Sequence, residues 1–256
     1  MSLPLVTVIT TCFNSSQTIE DTLRSVSQQD YPHIEHILVD GASSDSTMEI
    51  IHAYSHVARI ISEKDNGIYD AMNKGLAAAT GDIVGFLNSD DFYVSPSVIS
   101  SVVAHMQEIK CEALYADLVY VHPDQTDRIL RSWEAGSFER RKFLFGWMPP
   151  HPTFFAKRKL YDQYGGFNTS LKSSADYELM LRFLYKHRIS VCYLPKVIIR
   201  MRAGGMSNAS LSNRLMANRE DRMAWKINSL KPYFFTSWLK PLRKITQFMS
   251  EKNQVV

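Results

Sequence analysis

Apolar and polar positions along this chain fall into blocks that switch between the two periods of regular structure. Leu5 to Thr11 is β-branched and mostly apolar, which fits a central parallel strand. Phe13-Asn14-Ser15-Ser16 breaks the run. Ile19, Leu23 and Val26 then recur at helical spacing to about Gln29, behind a Thr18/Asp21 pair with capping-box spacing. Tyr31-Pro32 ends that helix, and His36 to Val39 supplies a second strand, closing one βαβ unit. After Asp40 and a Gly/Ser-rich loop, Ser46 and Glu49 repeat the capping spacing before a helix to about Tyr54. Ala58 to Ile61 reads as a third strand. Ile68, Ala71, Met72, Gly75 and Leu76 trace one helical face that Thr80-Gly81 stops. Ile83 to Leu87 is a short apolar strand running straight into Asp90 and Asp91.

This alternation predicts an α/β fold: an open, mixed, mostly parallel sheet with helices on its faces. A helix from Pro96 to about Ile109, with Ser95 as its cap, follows. The rhythm then changes. Ala113 to Val121 and Arg128 to Trp133 read as antiparallel strands. Phe138 to Met148 is a loop rich in aromatic and basic residues, either a lid or a packed connection. A helix with Tyr177, Met180, Leu181 and Leu184 on its apolar face and two further strands, Ile189 to Leu194 and Val197 to Met201, complete the second half. The expected division is residues 1–95 as a nucleotide-binding half, 96–210 as an acceptor-side half and 211–256 as a basic, aromatic helical extension.

Composition narrows the class without naming it. An apolar content of 45% supports a substantial core, and a net charge of +3 is too small to argue for nucleic acid. Cys12, Cys111 and Cys192 match neither a disulfide framework nor a zinc pattern, so a reducing, cytoplasmic setting is expected. In the extension, Arg214, Arg219, Arg222, Lys226, Lys231, Lys240, Arg243 and Lys244 interleave with Trp225, Tyr233, Phe234, Phe235, Trp238 and Phe248. That mixture suits an anionic membrane surface, or equally a packed helix with a solvated basic face.

The candidate chemistry lies at the strand ends. Dinucleotide and P-loop glycine motifs are absent. Instead Asp40, Asp65 and the Asp90/Asp91 pair each end an expected strand, and in an open sheet such ends gather over one crevice. Paired carboxylates form a hard oxygen site suited to Mg²⁺ or Mn²⁺, although they also shape turns. Asp176 is open to two readings: first-turn partner of Ser173 in a capping box, or a carboxylate base aimed at the crevice.

The run Val6 to Asn14, the stretch Val39-Asp40-Gly41-Ala42-Ser43-Ser44-Asp45-Ser46-Thr47, and the block from Glu63 through Ala71-Met72-Asn73-Lys74-Gly75 to Asn88-Ser89-Asp90-Asp91 together resemble family 2 glycosyltransferases of the GT-A fold. Within that family they are similar to a bacterial branch that builds surface polysaccharides. The resemblance covers roughly residues 4 to 210. It implies that Thr11, Phe13, Asn14, Asp40, Asp65, Asn73, Lys74, Asp90 and Arg202 contact a nucleotide-diphosphate sugar. It further implies that Asp91 with Asp90 holds Mn²⁺ or Mg²⁺, that Asp176 is the catalytic base of an inverting transfer, and that His151 lies on the acceptor side. Asn88 and Ala175 depart from the family pattern, each standing where many members carry a carboxylate. The implied acceptor is a glycan on polyprenyl diphosphate at the inner face of the bacterial membrane. Two other classes compete. A sugar-phosphate nucleotidyltransferase would want a Gly-rich, Arg-containing loop after the first strand, which Thr10 to Asn14 does not offer; a non-catalytic carbohydrate-binding scaffold would not need Asp91 and Asp176.

Overall fold

The computed structural model of the chain describes residues 3–204, 211–236 and 239, with the side chains of 211–215 left aside. Trp238, Lys240, Arg243, Lys244, Phe248, the Arg214 side chain and the stretch from Gly205 to Ser207 therefore lie outside the described residues. Strands β1 (Val6–Cys12), β2 (Ile34–Asp40), β3 (Val57–Ser62) and β4 (Ile83–Phe86) pair in parallel in the order β3-β2-β1-β4. Helices α1 (Ile19–Ser27), α2 (Thr47–His52) and α3 (Ile68–Ala78) make the crossovers between them. Every residue of β1 is buried. Val6 and Val8 pack into one apolar layer and Ile9 into the other, as alternation across a covered sheet requires.

The second half completes the same sheet. β5 (Asp91–Tyr93), α4 (Val98–Ile109), β6 (Ala113–Val121), β7 (Ile129–Trp133), β8 (Phe155–Lys157), α5 (Arg158–Tyr164), α6 (Ala175–Met180), β9 (Val191–Arg202) and α7 (Leu211–Ile227) follow in chain order. Beyond β4 the strand order runs β8-β6-β9-β5, with β7 on β6. β8 is antiparallel to β4 and β6, whereas β6 and β9 are parallel. The two strands expected between Ile189 and Met201 are one. Its register against β6 shifts beside Ala116 and Asp117, so Pro195 sits in a bulge rather than ending the strand. β5 and β8, three residues each, are too short to show a period in the sequence.

The capping boxes do not form. Thr18 and Ser46 make no side-chain cap, and the helix expected from Pro96 starts at Val98. α6 has Ser174 as its N-cap, with no side-chain cap bond to the helix, so Ser173 and Asp176 are not a box. Asp45 instead accepts from the Thr47 N–H at 3.0 Å and the Ser16 N–H at 3.1 Å, joining the loops before α1 and α2. The expectation that the cysteines stay unpaired is corrected for two of them. Cys111 and Cys192, 81 residues apart, bring their sulfurs together as a disulfide with Cα atoms at 6.0 Å. In the loop from Phe138 to Met148 the buried Phe143 and Trp147 join the main core, so this segment is packed. α7 packs on α6 through fully buried Trp225 and Ala224. Among the described residues no helix is long and apolar enough to cross a membrane.

Candidate active site

Four loops meet above the C-terminal ends of β1, β2, β3 and β4, and polar bonds tie them together. The Asn14 N–H donates to Ser43 Oγ at 2.8 Å, and Asn14 Oδ1 accepts from the Ser44 N–H at 2.9 Å. Asn14 holds φ 47°, a left-handed conformation that Asn tolerates better than most residues. The hydroxyls of Ser15 and Ser89 meet at 2.9 Å, bringing the first loop to the Asn88–Asp91 loop. Thr22 of α1 donates to the Asp91 carbonyl at 2.7 Å, which fixes that loop from below.

Asp40 is fully buried at the end of β2. Its carboxylate accepts from the Ser43 N–H at 3.1 Å, from the Ser43 hydroxyl, and from the Ser62 hydroxyl at 2.7 Å. Thr11 is buried one residue before Cys12, which pairs with Asp40. Phe13 is 62% exposed, an unusual place for a large ring, and is a candidate stacking surface. A Cβ on Gly41 would lie 2.6 Å from Asp65 Oδ2 and 3.3 Å from the Phe13 ring. Phe13, Gly41 and Asp65 therefore share one wall, with a side chain at position 41 pressing on the Asp65 carboxylate.

At β4 the chain delivers the acidic pair. Asp91 is fully buried, Asn88 Nδ2 donates to its Oδ2 at 3.0 Å, and its Oδ1 has no hydrogen-bond partner among the described residues. Burial, and then the neighbouring Asp90 charge, push the Asp91 carboxyl well above the usual range. Asp90 is raised as well, chiefly by burial, with Arg202 opposing. An orphaned carboxylate oxygen beside a second carboxylate fits a divalent cation, which would satisfy the oxygen and stabilise both charges. Among the described residues no cluster of three His, Cys, Asp or Glu side chains forms a larger ligand set.

Three residues expected at the donor bond to the chain itself. Asn73 Nδ2 donates to the Phe167 carbonyl and its Oδ1 accepts from the Phe167 N–H, both at 2.8 Å. Lys74 Nζ reaches Glu63 at 2.9 Å and the Lys64 carbonyl at 2.8 Å. Arg202 donates to the Asp90 carbonyl at 2.8 Å, to the Pro123 carbonyl at 3.1 Å and to the Asp21 carboxylate. Arg202 thus fastens the backbone of the acidic pair to α1 and to the β6–β7 turn.

Asp176 stands in the first turn of α6. Its Oδ1 accepts from the Tyr69 hydroxyl at 3.1 Å. Burial, and then the Asp176 charge, hold Tyr69 protonated and therefore a donor. Tyr69 stacks on Phe167 at 5.6 Å, Phe167 meets His151 edge-on at 5.7 Å, and His151 lies over Phe86 at 6.1 Å. Phe86 ends β4. One aromatic layer therefore joins the surroundings of Asp176 to the strand that delivers Asp90 and Asp91. His151 Nε2 is buried without a partner among the described residues, and burial lowers its pKa against the pull of Asp176. Ser43, Ser62, Thr22 and Tyr69 carry no sequence signal of these roles, since each acts through a contact that only the fold creates.

A family model, Glycosyl transferase family 2, matches residues 7–167. The chain belongs to glycosyl transferase family 2. Among family relatives, an uncharacterized glycosyltransferase of Mycobacterium tuberculosis is 34% identical over 184 residues, spanning 71% of this chain and 69% of the relative. A PGL/p-HBAD biosynthesis glycosyltransferase of Mycobacterium bovis is 29% identical over 225 residues, 84% of either chain. The fold is GT-A, shared with S. aureus TarS 1-349 in complex with UDP-GlcNAc at a TM-score of 0.69 and 19% identity. That match covers 88% of this chain and 65% of TarS 1-349. The mannosyltransferase PcManGT from Pyrobaculum calidifontis, in complex with GDP-Man and Mn²⁺, matches at a TM-score of 0.65 and 18% identity, over 99% of this chain and 77% of its own. As a family 2 glycosyltransferase the chain is an enzyme, and its crevice lies where an open α/β sheet places ligands.

Proposed function

We propose that this chain is an inverting transferase that moves one sugar from a nucleoside-diphosphate donor to a hydroxyl of a glycan acceptor in bacterial surface-polysaccharide synthesis. The observation that carries this reading is Asp176, bonded to Tyr69 beside the aromatic layer that reaches the β4 end and its acidic pair. In this reading Phe13 and Asp65 flank the nucleoside, Asp40 and its serines hold the loop that faces the base, and Asp90 lies towards the ribose. Mn²⁺ or Mg²⁺ held by Asp91 and Asp90 would neutralise charge on the departing diphosphate. Asp176 takes the proton of the acceptor hydroxyl as the new glycosidic bond forms on the face opposite the leaving nucleotide. Tyr69 orients that carboxylate, and His151 borders the acceptor. No covalent sugar–enzyme intermediate is required.

A polyprenyl-diphosphate-linked acceptor at the inner face of the cytoplasmic membrane suits the surface beyond α7. Phe234 is 91% exposed, and Tyr233 and Phe145 are 46% and 39% exposed, on segments that also carry Arg140, Arg141 and Lys231. Rings beside cations suit anionic headgroups. Truncation after Leu230 should release the protein from anionic vesicles, and equal binding by the truncated protein would remove the tail from this role.

The donor reading is tested by calorimetry with UDP, GDP and TDP, each with and without Mn²⁺, together with nucleotide release from UDP-GlcNAc and GDP-mannose. Metal-dependent binding of one nucleotide supports the reading. A folded protein that binds none of them overturns it.

A further inference from the structure

The loop that leads into Asp176 has no side-chain cap of its own, yet its amides are not free. The Lys172 N–H donates to Glu220 Oε1 at 3.0 Å, and the Ser173 and Ser174 N–H groups donate to Glu220 Oε2 at 2.8 Å and 3.1 Å. Glu220 belongs to α7, is only 7% exposed, and reaches the loop from 46 residues away or more. A carboxylate that accepts three backbone donors is a charge-assisted clamp, stronger and more directional than neutral bonds. It also supplies the negative charge favoured at the start of a helix.

Two other contacts fix α7 to α6 further along. Trp225 Nε1 donates to the Tyr177 hydroxyl at 2.9 Å, and Asn228 Nδ2 donates to Glu178 Oε1 at 2.9 Å. Glu178 is itself held by Arg182, which donates to it at 3.0 and 2.8 Å. These contacts secure the body of the helix. The Glu220 carboxylate takes the backbone amides of the three residues immediately before Ala175 and Asp176, and the Ser174 hydroxyl adds a bond to the Ala217 carbonyl of α7 at 3.3 Å.

From these contacts we infer that Glu220 is a positioning residue: α7 sets the place of the Asp176 carboxylate through the backbone of residues 172–174. Tyr69 fixes the carboxylate from the donor side and Glu220 fixes its backbone from the C-terminal side. The inference rests on Asp176 acting as the base. A displacement of about 1 Å in a reacting group costs on the order of 100-fold in rate, so a loosened loop should be visible in turnover before it is visible in binding.

The test is Glu220→Gln, which keeps the side-chain shape and removes the charge, with Asn228→Ala as a control that weakens α7–α6 packing away from Asp176. Hydrogen exchange at the Lys172, Ser173 and Ser174 amides should accelerate in Glu220→Gln and stay near wild type in Asn228→Ala. Nucleotide release from whichever of UDP-GlcNAc or GDP-mannose the wild type uses should fall about 100-fold in kcat, with KM and nucleotide affinity unchanged. Unchanged exchange at those amides would overturn the clamp. So would a kcat no lower than in Asn228→Ala, or a kcat loss matched by lost nucleotide binding. A wild-type protein that releases nucleotide from neither donor would instead count against the donor assignment, and the exchange arm would still decide the clamp.

Discussion

The hydroxyl of Tyr69 and the carboxylate of Asp176, 107 residues apart, meet at 3.1 Å. This contact joins the first turn of α3 to the first turn of α6. Tyr69 is kept protonated by burial and by that same carboxylate, so the bond runs in one direction.

Asp176→Asn should therefore lower nucleotide release by roughly 10²–10⁴-fold while leaving nucleotide affinity near wild type, because the substitution keeps shape and removes basicity. Tyr69→Phe keeps the stack on Phe167 and removes one bond to a charged group, for an expected loss of about tenfold. Steady-state kinetics beside calorimetry check both. Wild-type turnover in Asp176→Asn would exclude it as the base.

Asp91 makes a prediction about stability. A buried carboxyl raised above its ordinary 3.8 keeps its proton in the folded chain after the unfolded chain has released it. Stability of the metal-free protein therefore falls as pH rises from about 3.8 until the folded group ionises. Asp91→Asn should remove the Asp91 part of that slope and stabilise the protein in EDTA at neutral pH by roughly 1–3 kcal/mol, read as a higher melting temperature. The same variant should lose stabilisation by Mn²⁺. Thermal melts between about pH 4 and 8, with EDTA or Mn²⁺, read both effects.

Gly85 tests the packing between the two halves of the sheet. It pairs with Phe155 across β4 and β8, and a Cβ there would lie 2.3 Å from Phe155 Cε1 and 2.6 Å from Cδ1. Phe155 is 1% exposed and has nowhere to swing. Gly85→Ala should cost about 1–3 kcal/mol. Adding Phe155→Leu should recover part of it, which a double-mutant cycle in urea would measure.

The first half of the fold was legible because each strand and helix there carries its own period and its own break. β1 to β4 and α1 to α3 could be read within a few residues of their ends. The second half was harder for a physical reason. β5 and β8 are too short to show a period, and Pro195 in β9 looks like a stop until β6 is seen to tolerate a bulge. Residue type also placed Asp40, Asp65, Asp90 and Asp91 at strand ends without giving direction. Asn73, Lys74 and Arg202 are the right residues to bind a ligand, yet their polar atoms bond to Phe167, Glu63 and Asp90. The Glu220 clamp and the Cys111–Cys192 contact depend on separations that no local pattern encodes.

His36 sits in the middle of β2, fully buried, with Nε2 at 3.0 Å from the Thr10 hydroxyl and Nδ1 at 3.0 Å from His56 Nε2. Burial first, and the His56 charge second, push its pKa down to about 3. A base with a depressed folded pKa binds a proton more readily in the unfolded chain. Its contribution is intact above the ordinary value of 6.5 and is lost as pH falls from there towards about 3. This slope is opposite in sign to that of Asp91, so between about pH 3.8 and 6.5 the two offset each other in the metal-free protein. His36→Gln retains a donor and an acceptor for Thr10 and His56 and cannot titrate. Its melting temperature relative to wild type should rise as pH falls from about 6.5 to 4, because the loss that His36 causes is gone while the Asp91 slope remains. An unchanged acid slope in His36→Gln would show that His36 takes up its proton within the fold, where both ring nitrogens donate and the Thr10 hydroxyl and His56 Nε2 must both accept.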